Sequence, residues 1–217
     1  LIAAPTLTSP VYKLVWPRDG SKTAVDLLEA GFAPEAKAFF ELLETLLRPD
    51  GSFAINYRPD ASGPFFDLGP DHNENDQPGM LPWGVDRVLE VTGDVAWTVA
   101  RWPAVRRVAE HLLAITTFEG ALVAPSRDLW ELETGGSWTY ANGSALAGLL
   151  ASARIARVAG ASRDPSRYEA RAAALRAAID ERLVTRGGWF GRGLKDGRVD
   201  ERLEIANLAL GRGGFAV

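Results

Sequence analysis

The sequence has 217 residues, of which 47% are hydrophobic and 24% are charged, so it can bury a sizeable core as one domain or as part of a larger one. Its formal net charge of −4 argues against a nucleic-acid partner, which would favour a basic surface. No apolar run is long enough to cross a bilayer, so no membrane partner is predicted.

Cysteine is absent, which excludes disulfide bonds and thiolate metal sites. His72 and His111 are too few for a multi-histidine metal centre, and no metal is predicted. The chain starts at Leu1 without a signal-peptide pattern, and it ends in a glycine-rich run that leads into apolar residues. We therefore expect a piece of a longer protein. The sequence leaves its compartment, cytoplasmic or secreted, and its oligomeric state open.

Apolar residues at helical spacing predict antiparallel helix pairs separated by long polar loops. In chain order the predicted helices are 19–30, 34–47, 78–91, 95–116 with a bend or break at Pro103, 139–158, one that opens at Asp164-Pro165, and 199–210. The run 53–57 is compatible with a short strand. The helix 139–158 is rich in Ala, Gly and Ser, which permits close packing. The first, third and fifth helices contain small or mixed residues, whereas the even ones have charged outer faces. We therefore expect hairpins in a ring with the first, third and fifth helices inside; a simple bundle is the alternative.

Two segments far apart in the chain join carboxylates to indole rings: Trp16-Pro17-Arg18-Asp19, with Tyr12 upstream, and Asp128-Leu129-Trp130-Glu131. A flat aromatic ring can cover the C–H face of a sugar. Charged groups beside it can bind hydroxyls or move a proton. A third acidic loop, Glu74-Asn75-Asp76, lies between the two segments. The three together indicate carbohydrate chemistry.

The ordered motifs SPVYKLVWPRD (9–19), ENDQPG (74–79) and DLWE (128–131) resemble those of the glucoamylase family, which is glycoside hydrolase family 15-like. Its members remove glucose from the non-reducing ends of α-glucans and related oligosaccharides. The run 193–200 is also similar to microbial members. The resemblance implies an all-α fold, the (α/α)6 barrel of six helical hairpins, with the site in a pocket at one end. Residues 1–217 would form about half of that ring, a partial catalytic domain without its C-terminal half.

By this resemblance Glu131 is the general acid, and Asp128 is the acidic residue of the same signature. The leaving oxygen needs a proton, so one carboxylic acid must stay protonated near its working pH. The apolar neighbours Trp130 and Leu132 and the charge of Asp128 would favour the protonated form of Glu131. The alternative is that Asp128 caps a helix and Glu131 is a solvated acid of its first turn.

Arg18 and Asp19 match the pair that binds neighbouring hydroxyls of the terminal glucose in the family, which implies exo-action. Tyr12 and Trp16 match aromatic positions of the same subsite, and Trp130 is a further expected sugar contact. Alternatively, Asp19 caps the first helix and Trp16 belongs to the core.

Asn75 and Asp76 match an acidic loop that contacts sugar, although Asp76 could instead cap the helix from 78. Leu132 stands where the signature commonly has a second glutamate that binds the neighbouring sugar, which leaves trehalase-type or dextran-type substrates open. The catalytic base of the family lies in the second half of the domain and has no match here. We therefore expect little turnover by this chain alone.

The resemblance implies an exo-acting, inverting hydrolase of the glucan 1,4-α-glucosidase type, which acts on oligosaccharides or polysaccharides without a metal or organic cofactor. Inversion requires a second carboxylate about 6.5–9.5 Å from the acid, which leaves room for a water molecule. The alternative of another class is a non-catalytic carbohydrate-binding or regulatory module. The regulatory subunits of phosphorylase kinase carry such a glucoamylase-like domain.

Overall fold

The computed structural model describes residues 13–66, 74–211 and 215, and most of them are helical. The elements in chain order are α1 (Pro17–Glu29), α2 (Ala33–Leu46), β1 (Asn56–Tyr57), β2 (Pro64–Phe66), α3 (Met80–Thr92), α4 (Val95–Ala100), α5 (Trp102–Ile115), β3 (Gly136–Trp138), α6 (Thr139–Val158), α7 (Asp164–Arg182), β4 (Gly193–Lys195), β5 (Arg198–Asp200) and a 3₁₀ helix (Ile205–Leu210). Among the described residues, no helix has the length and apolar character needed to cross a membrane.

Proline and glycine set several helix ends. Pro17 is the first residue of α1, and Pro103 lies in the first turn of α5, where a missing N–H costs no hydrogen bond. Gly93 ends α3 in the left-handed conformation, with a φ of 67°. Asp94 then caps α4 by accepting the backbone N–H of Trp97. The predicted helix 95–116 is therefore two helices, separated just before Pro103.

The helices form two layers. α1, α3 and α6 lie side by side, while α2, α4–α5 and α7 pack against their outer side. Only residues 30–32 separate α1 from α2, and only 159–163 separate α6 from α7, so each pair must run antiparallel. α6 is buried on almost all sides. The predicted helix pairs, with α1, α3 and α6 inside, are confirmed.

A single large core fills the space between the layers. Full burial of one leucine or phenylalanine side chain stabilises the fold by about 1.5–3 kcal/mol. Fully buried large side chains come from both layers: Leu28, Phe40, Leu81, Leu112, Leu149 and Leu175. The two layers therefore share one apolar core, and the loops at the ends of α1, α3 and α6 are built on it.

α3 and α6 approach each other closely where both carry small residues. A Cβ on Gly148 would lie 2.7 Å from the Cα of Gly79, and a Cβ on Gly79 would lie 2.2 Å from the carbonyl oxygen of Ser144. The Ser144 hydroxyl also donates to the carbonyl oxygen of Asp76 at 2.6 Å. Close packing by α6 is thus as predicted, and it holds the segment 74–79 against the inner layer.

The prediction of a last helix at 199–210 is wrong in its first half. Residues 193–200 form a hairpin in which Leu194 pairs with Val199, and the turn is Asp196-Gly197 with φ values of 51° and 71°. Two left-handed residues of the Asp-Gly type are the preferred two-residue turn between antiparallel strands. Helical structure begins only at Ile205 and is 3₁₀. The predicted strand 53–57 is reduced to β1.

β3 connects the hairpin to the inner layer. It pairs antiparallel with β4, with Trp138 opposite Gly193, and it continues into α6 without an intervening residue. The loop 121–135, which carries the predicted acid, therefore ends at a strand that is paired with β4 and continuous with α6.

Candidate active site

The two distant motifs of the sequence meet beside the amino-terminal ends of the inner helices. Trp16 immediately precedes α1, Asp76 lies four residues before α3, and Glu131 lies in the loop before β3 and α6. The indole Nε1 of Trp16 donates a hydrogen bond of 2.7 Å to Oε1 of Glu131, across 115 positions of sequence. This contact brings the predicted sugar clamp and the predicted acid into one site.

Arg18 is the centre of a buried ion-pair cluster. Its Nη1 donates to Oε2 of Glu74 at 2.9 Å and to Oδ2 of Asp76 at 3.0 Å, and its Nη2 lies 3.3 Å from Oδ2 of Asp19. Arg18, Glu74 and Asp76 are almost inaccessible to solvent, whereas the side chain of Asp19 is 52% exposed. Asp19 is therefore the member of the cluster most exposed to an incoming ligand.

The charges in this cluster are strongly coupled. Burial opposes the charged guanidinium, but the attraction of Asp76 and Glu74 outweighs burial, so the pKa of Arg18 is raised well above its usual range. Burial also raises the pKa of Asp76. Burial raises the pKa of Glu74 well above its ordinary value, with repulsion from Asp76 and Glu131 adding to it and Arg18 opposing it. Glu74 therefore takes up a proton more readily than an exposed glutamate.

Three buried oxygens of the acidic loop have no hydrogen-bond partner among the described residues: Glu74 Oε1, Asp76 Oδ1 and Gln77 Oε1. The orientation of the Gln77 amide is set, because its Nε2 donates to the carbonyl oxygen of Ile55 at 2.9 Å and to Glu74 Oε2 at 2.6 Å. Buried acceptors are rarely left unpaired in folded proteins. The loop therefore has acceptor capacity for hydroxyl donors.

Asp76 does not cap α3, because α3 begins at Met80 without a side-chain cap and the Asp76 carboxylate faces Arg18. The neighbouring Asn75 is buried, and its Nδ2 donates to the carbonyl oxygen of Ala124 at 3.0 Å. Asn75 thus joins the acidic loop to the loop that leads to Glu131. A direct sugar contact by Asn75 stays a prediction, as does one by Asp76.

Asp128 closes a turn rather than capping a helix, because residues 128–133 are not helical. Its Oδ1 accepts the backbone N–H groups of Leu132 at 2.8 Å and Glu133 at 2.9 Å, and its carbonyl oxygen accepts the N–H of Glu131 at 2.9 Å. Its Oδ2 is paired with Arg192. Both carboxylate oxygens are thus bonded to protein groups and shape the turn, and the catalytic role of Asp128 stays a prediction.

The predicted apolar surroundings of Glu131 are wrong. Trp130 is 49% exposed and Leu132 is 80% exposed, so neither ring nor methyl groups enclose the carboxylate. The indole Nε1 of Trp130 donates to Oε2 of Glu204 at 2.9 Å, which fixes the ring beside the site. Its predicted sugar contact stays a prediction. The group against Glu131 is Trp16, and it is buried, as the core interpretation of that residue required.

Arg192 and Glu74 are site residues that sequence reasoning did not single out. Arg192 is buried just before β4, and its Nη1 donates to Oε1 of Glu133 at 2.5 Å while its Nε lies 3.4 Å from Oε2 of Glu204. Hydrogen bonds from Arg192, Arg202 and Lys195 lower the pKa of Glu133 to about 2. Arg192 precedes the GLKDGR run, but no spacing rule connects it to Asp128.

Two further predictions from the sequence concern Tyr12 and a metal site. Tyr12 lies outside the described residues, so its sugar contact stays a prediction. Across residues 13–66, 74–211 and 215, the histidine, aspartate and glutamate side chains form no group of three that could hold a metal ion. The acidic residues of the site are instead arranged around Arg18 and Arg192.

No family model matches this chain. An uncharacterized glycosyl hydrolase of Methanocaldococcus jannaschii is 32% identical to it over 150 residues, which are 69% of this chain and 22% of that protein. The chain therefore spans about a fifth of the curated relative that it matches.

Solved glycosidase structures share its fold. A bacterial glucoamylase in complex with acarbose has a TM-score of 0.68 at 17% identity, over 89% of this chain and 27% of the other. A glycosidase variant in complex with glucose has a TM-score of 0.67 at 21% identity, over 93% and 58%. A rhamnosidase from Klebsiella oxytoca with rhamnose bound has a TM-score of 0.61 at 18% identity, over 91% and 37%. The chain is about half of an (α/α)6 barrel. The predicted fold is confirmed.

Proposed function

We propose that this chain is part of an exo-acting glycoside hydrolase that releases glucose from the non-reducing ends of α-glucans or α-glucosidic oligosaccharides. The observation that carries the proposal is the 2.7 Å hydrogen bond between Trp16 and Glu131, because it joins the Arg18 cluster to a carboxyl group that can supply a proton. The similarity to a glycosyl hydrolase and to glycosidases with acarbose, glucose or rhamnose bound supports a carbohydrate substrate.

In this proposal Arg18 and Asp19 bind the terminal sugar. Glu74 and Asp76 hold the Arg18 guanidinium on one side, so its remaining N–H groups have a fixed direction towards sugar oxygens. The exposed carboxylate of Asp19 accepts a neighbouring hydroxyl. An internal sugar carries a substituent on one of these oxygens and would clash, which explains exo-action.

Glu131 acts as the general acid. Its proton passes to the glycosidic oxygen as the bond from that oxygen to the anomeric carbon breaks, and a water molecule attacks the same carbon from the opposite face. A second carboxylate, about 6.5–9.5 Å away, takes the proton of that water. No residue of this chain is assigned to that base. The product of an α-linked substrate is then the β-anomer.

The test uses the protein encoded by the complete open reading frame. Purified protein is incubated with maltotriose, isomaltose, trehalose and an aryl rhamnoside, and proton NMR follows the first anomer released. We expect β-glucose, and we expect Glu131→Gln to lower kcat by about 10²–10⁴-fold, because a positioned general acid contributes that much. Glu181→Gln, an exposed carboxylate on α7, is the control. Absence of glycoside hydrolysis, or full activity of Glu131→Gln, would refute the proposal.

One observation favours a second substrate preference. Leu132, next to Glu131, is 80% exposed and cannot hydrogen-bond the sugar that leaves. A trehalase-type or dextran-type enzyme is the outcome if trehalose or isomaltose is hydrolysed faster than maltotriose. A non-catalytic carbohydrate-binding module is the outcome if acarbose binds but no substrate turns over.

A further inference from the structure

We propose that Arg192 is a positioning residue for Glu131: the Arg192 guanidinium acts through Asp128 and holds the 128–133 turn in the shape that directs the Glu131 carboxyl into the site. The effect of Arg192 on catalysis rests on the proposed function. The effect of Arg192 on the placement of Glu131 does not rest on it, so separate experiments test the two effects.

Arg192 is itself held firmly. Its backbone N–H donates to the carbonyl oxygen of Asp200 at 2.8 Å, and its carbonyl oxygen accepts the N–H of Thr139 at 2.9 Å, at the start of α6. Its guanidinium carbon lies 5.0 Å from the ring centroid of Trp138, within the range of a cation–π contact. The guanidinium is therefore a fixed point relative to the inner helices.

The guanidinium contacts carboxylates from both sides of the turn. It is paired with Asp128 and Glu133, the residues at the two ends of the 128–133 turn, and it approaches Glu204. Arg192 and Asp128 are both buried, and the Arg192 guanidinium compensates the charge of Asp128. Removing one partner of a buried pair is costly, because the other charge is left uncompensated.

Asp128 transmits this restraint to Glu131. Its side chain and carbonyl oxygen together accept three N–H groups of the turn, including that of Glu131. Glu131 has a φ of 60°, a left-handed conformation that persists in a non-glycine residue only where the surroundings impose it. Arg127 completes the restraint, because its Nη1 donates to the Glu131 carbonyl oxygen at 2.8 Å.

Loss of the guanidinium would therefore move the acid without removing it. An unpaired Asp128 carboxylate would turn towards solvent, and the N–H groups of Leu132 and Glu133 would lose their acceptor. The turn would relax and shift Glu131 from its place beside Trp16. A displacement of about 1 Å in a catalytic group can lower the rate by about 10²-fold.

The kinetic experiment uses the protein from the complete open reading frame. We expect Arg192→Gln to lower kcat by about 100-fold with little change in KM, because sugar binding is assigned to Arg18 and Asp19. The matched control is Arg202→Gln, which removes an exposed guanidinium that also pairs with Glu133 but does not contact Asp128. We expect its kcat to stay at the parent level. An equal loss in both variants, or a change confined to KM, would contradict the inference.

A double-mutant cycle tests whether Arg192 works through Asp128. In an Asp128→Asn background, Arg192→Gln should lower kcat by much less than 100-fold, because the link is already broken. This pair also removes both buried charges together, which guards against a variant that fails to fold. Independent losses that multiply would overturn the inference.

A crystal structure of Arg192→Gln gives a readout that needs no turnover. We expect the Glu131 carboxylate to have left the indole of Trp16. If Glu131 keeps its left-handed backbone and its hydrogen bond to Trp16, the inference fails, whatever the kinetics. If the parent protein hydrolyses no glycoside, the proposed function fails, and this structure still decides the role of Arg192.

Discussion

At the scale of single residues, one indole joins two parts of the site. Trp16 donates to Glu131 and lies two positions before Arg18. Its N–H binds one oxygen of the Glu131 carboxyl group. Under the proposed function, placement of the acid and placement of the sugar therefore depend on the same short segment.

We predict that Trp16→Phe lowers kcat about 10- to 100-fold, because it deletes the hydrogen bond that orients Glu131 and keeps an aromatic ring. The measurement is steady-state kinetics on the substrate that the panel identifies. Trp97→Phe is the matched control, since its Nε1 also donates to a carboxylate, Glu41, at 2.7 Å, but on the outer surface. Equal kinetics for both variants and the parent would disprove a role for this hydrogen bond.

The raised pKa of Glu74 predicts a pH dependence of stability. A carboxyl group with a folded pKa above its unfolded value of 4.5 contributes stability that is fully present below pH 4.5 and is lost as pH rises through the folded pKa. Asp76, whose pKa is also raised, acts in the same direction. Glu74→Gln keeps an acceptor for Arg18 and has no proton to lose, so it removes the contribution of Glu74 to this decline.

Thermal unfolding from pH 4 to pH 9 checks the prediction. The melting temperature of Glu74→Gln should rise relative to the parent as pH increases above about 4.5, and the two should agree best at the acidic end. Glu181→Gln, on the exposed face of α7, should follow the parent throughout. A constant difference between Glu74→Gln and the parent would show that Glu74 does not titrate in this range.

Sequence motifs predicted only part of the site at this scale. Trp16, Arg18 and Glu131 could be predicted, because their residue types in ordered motifs match a known chemistry, and the structure brings them together. The importance of Glu74 and Arg192 for the site could not be predicted from the sequence. Their importance comes from burial and from partners more than 50 residues away, which no local spacing encodes.

At the scale of elements, the amphipathic helices were predictable and the turn chemistry was partly missed. α6 begins at Thr139 and ends at Val158, as predicted, and its small residues are buried among the other helices. The Asp196-Gly197 hairpin was not predicted, although Asp-Gly between Leu194 and Val199 is a strong hairpin signal. Arg192 directly precedes β4 of this hairpin, and its backbone N–H donates to Asp200 of β5. The hairpin that was not predicted therefore helps to position Arg192.

The close approach of α3 and α6 gives a prediction about stability. Gly148→Ala should destabilise the fold by about 1–3 kcal/mol, because the new Cβ would meet backbone atoms of Gly79 that cannot move alone. Gly143→Ala on the same helix is the control. Its Cβ would lie 3.0 Å from the flexible side chain of Leu210, so we expect a change within about 1 kcal/mol. Chemical denaturation measures both, and similar values would contradict the packing argument.

At the scale of the whole molecule, the layers follow from the sequence but the ring does not. Charged outer faces and small inner residues predicted which helices lie inside, and the structure confirms it. Closure into a barrel was implied only by the family resemblance, since helical periodicity does not distinguish an arc from a bundle. The shared fold with solved glycosidases, at 58% coverage of one of them, supplies that information.

The proposed mechanism predicts how residues 1–217 behave alone. We expect them to show no more than a small fraction of the kcat of the complete open reading frame, because the proposed base is not assigned within this chain. Parallel assays of both proteins at equal concentration check this, with circular dichroism to confirm that the short form is helical. Equal kcat values would show that the base lies among these residues.

The left-handed backbone of Glu131 makes any side chain at this position costly for stability, including the carboxyl group of the proposed acid. Glycine would adopt a φ of 60° freely, whereas a side chain there costs roughly 1–2 kcal/mol. Glu131→Gly should therefore melt at a higher temperature than Glu131→Ala, although both lack the carboxyl group. Under the proposed function, a descendant that had lost hydrolysis would gain stability from a single substitution here. The proposed acid therefore costs the fold stability in exchange for a proton donor.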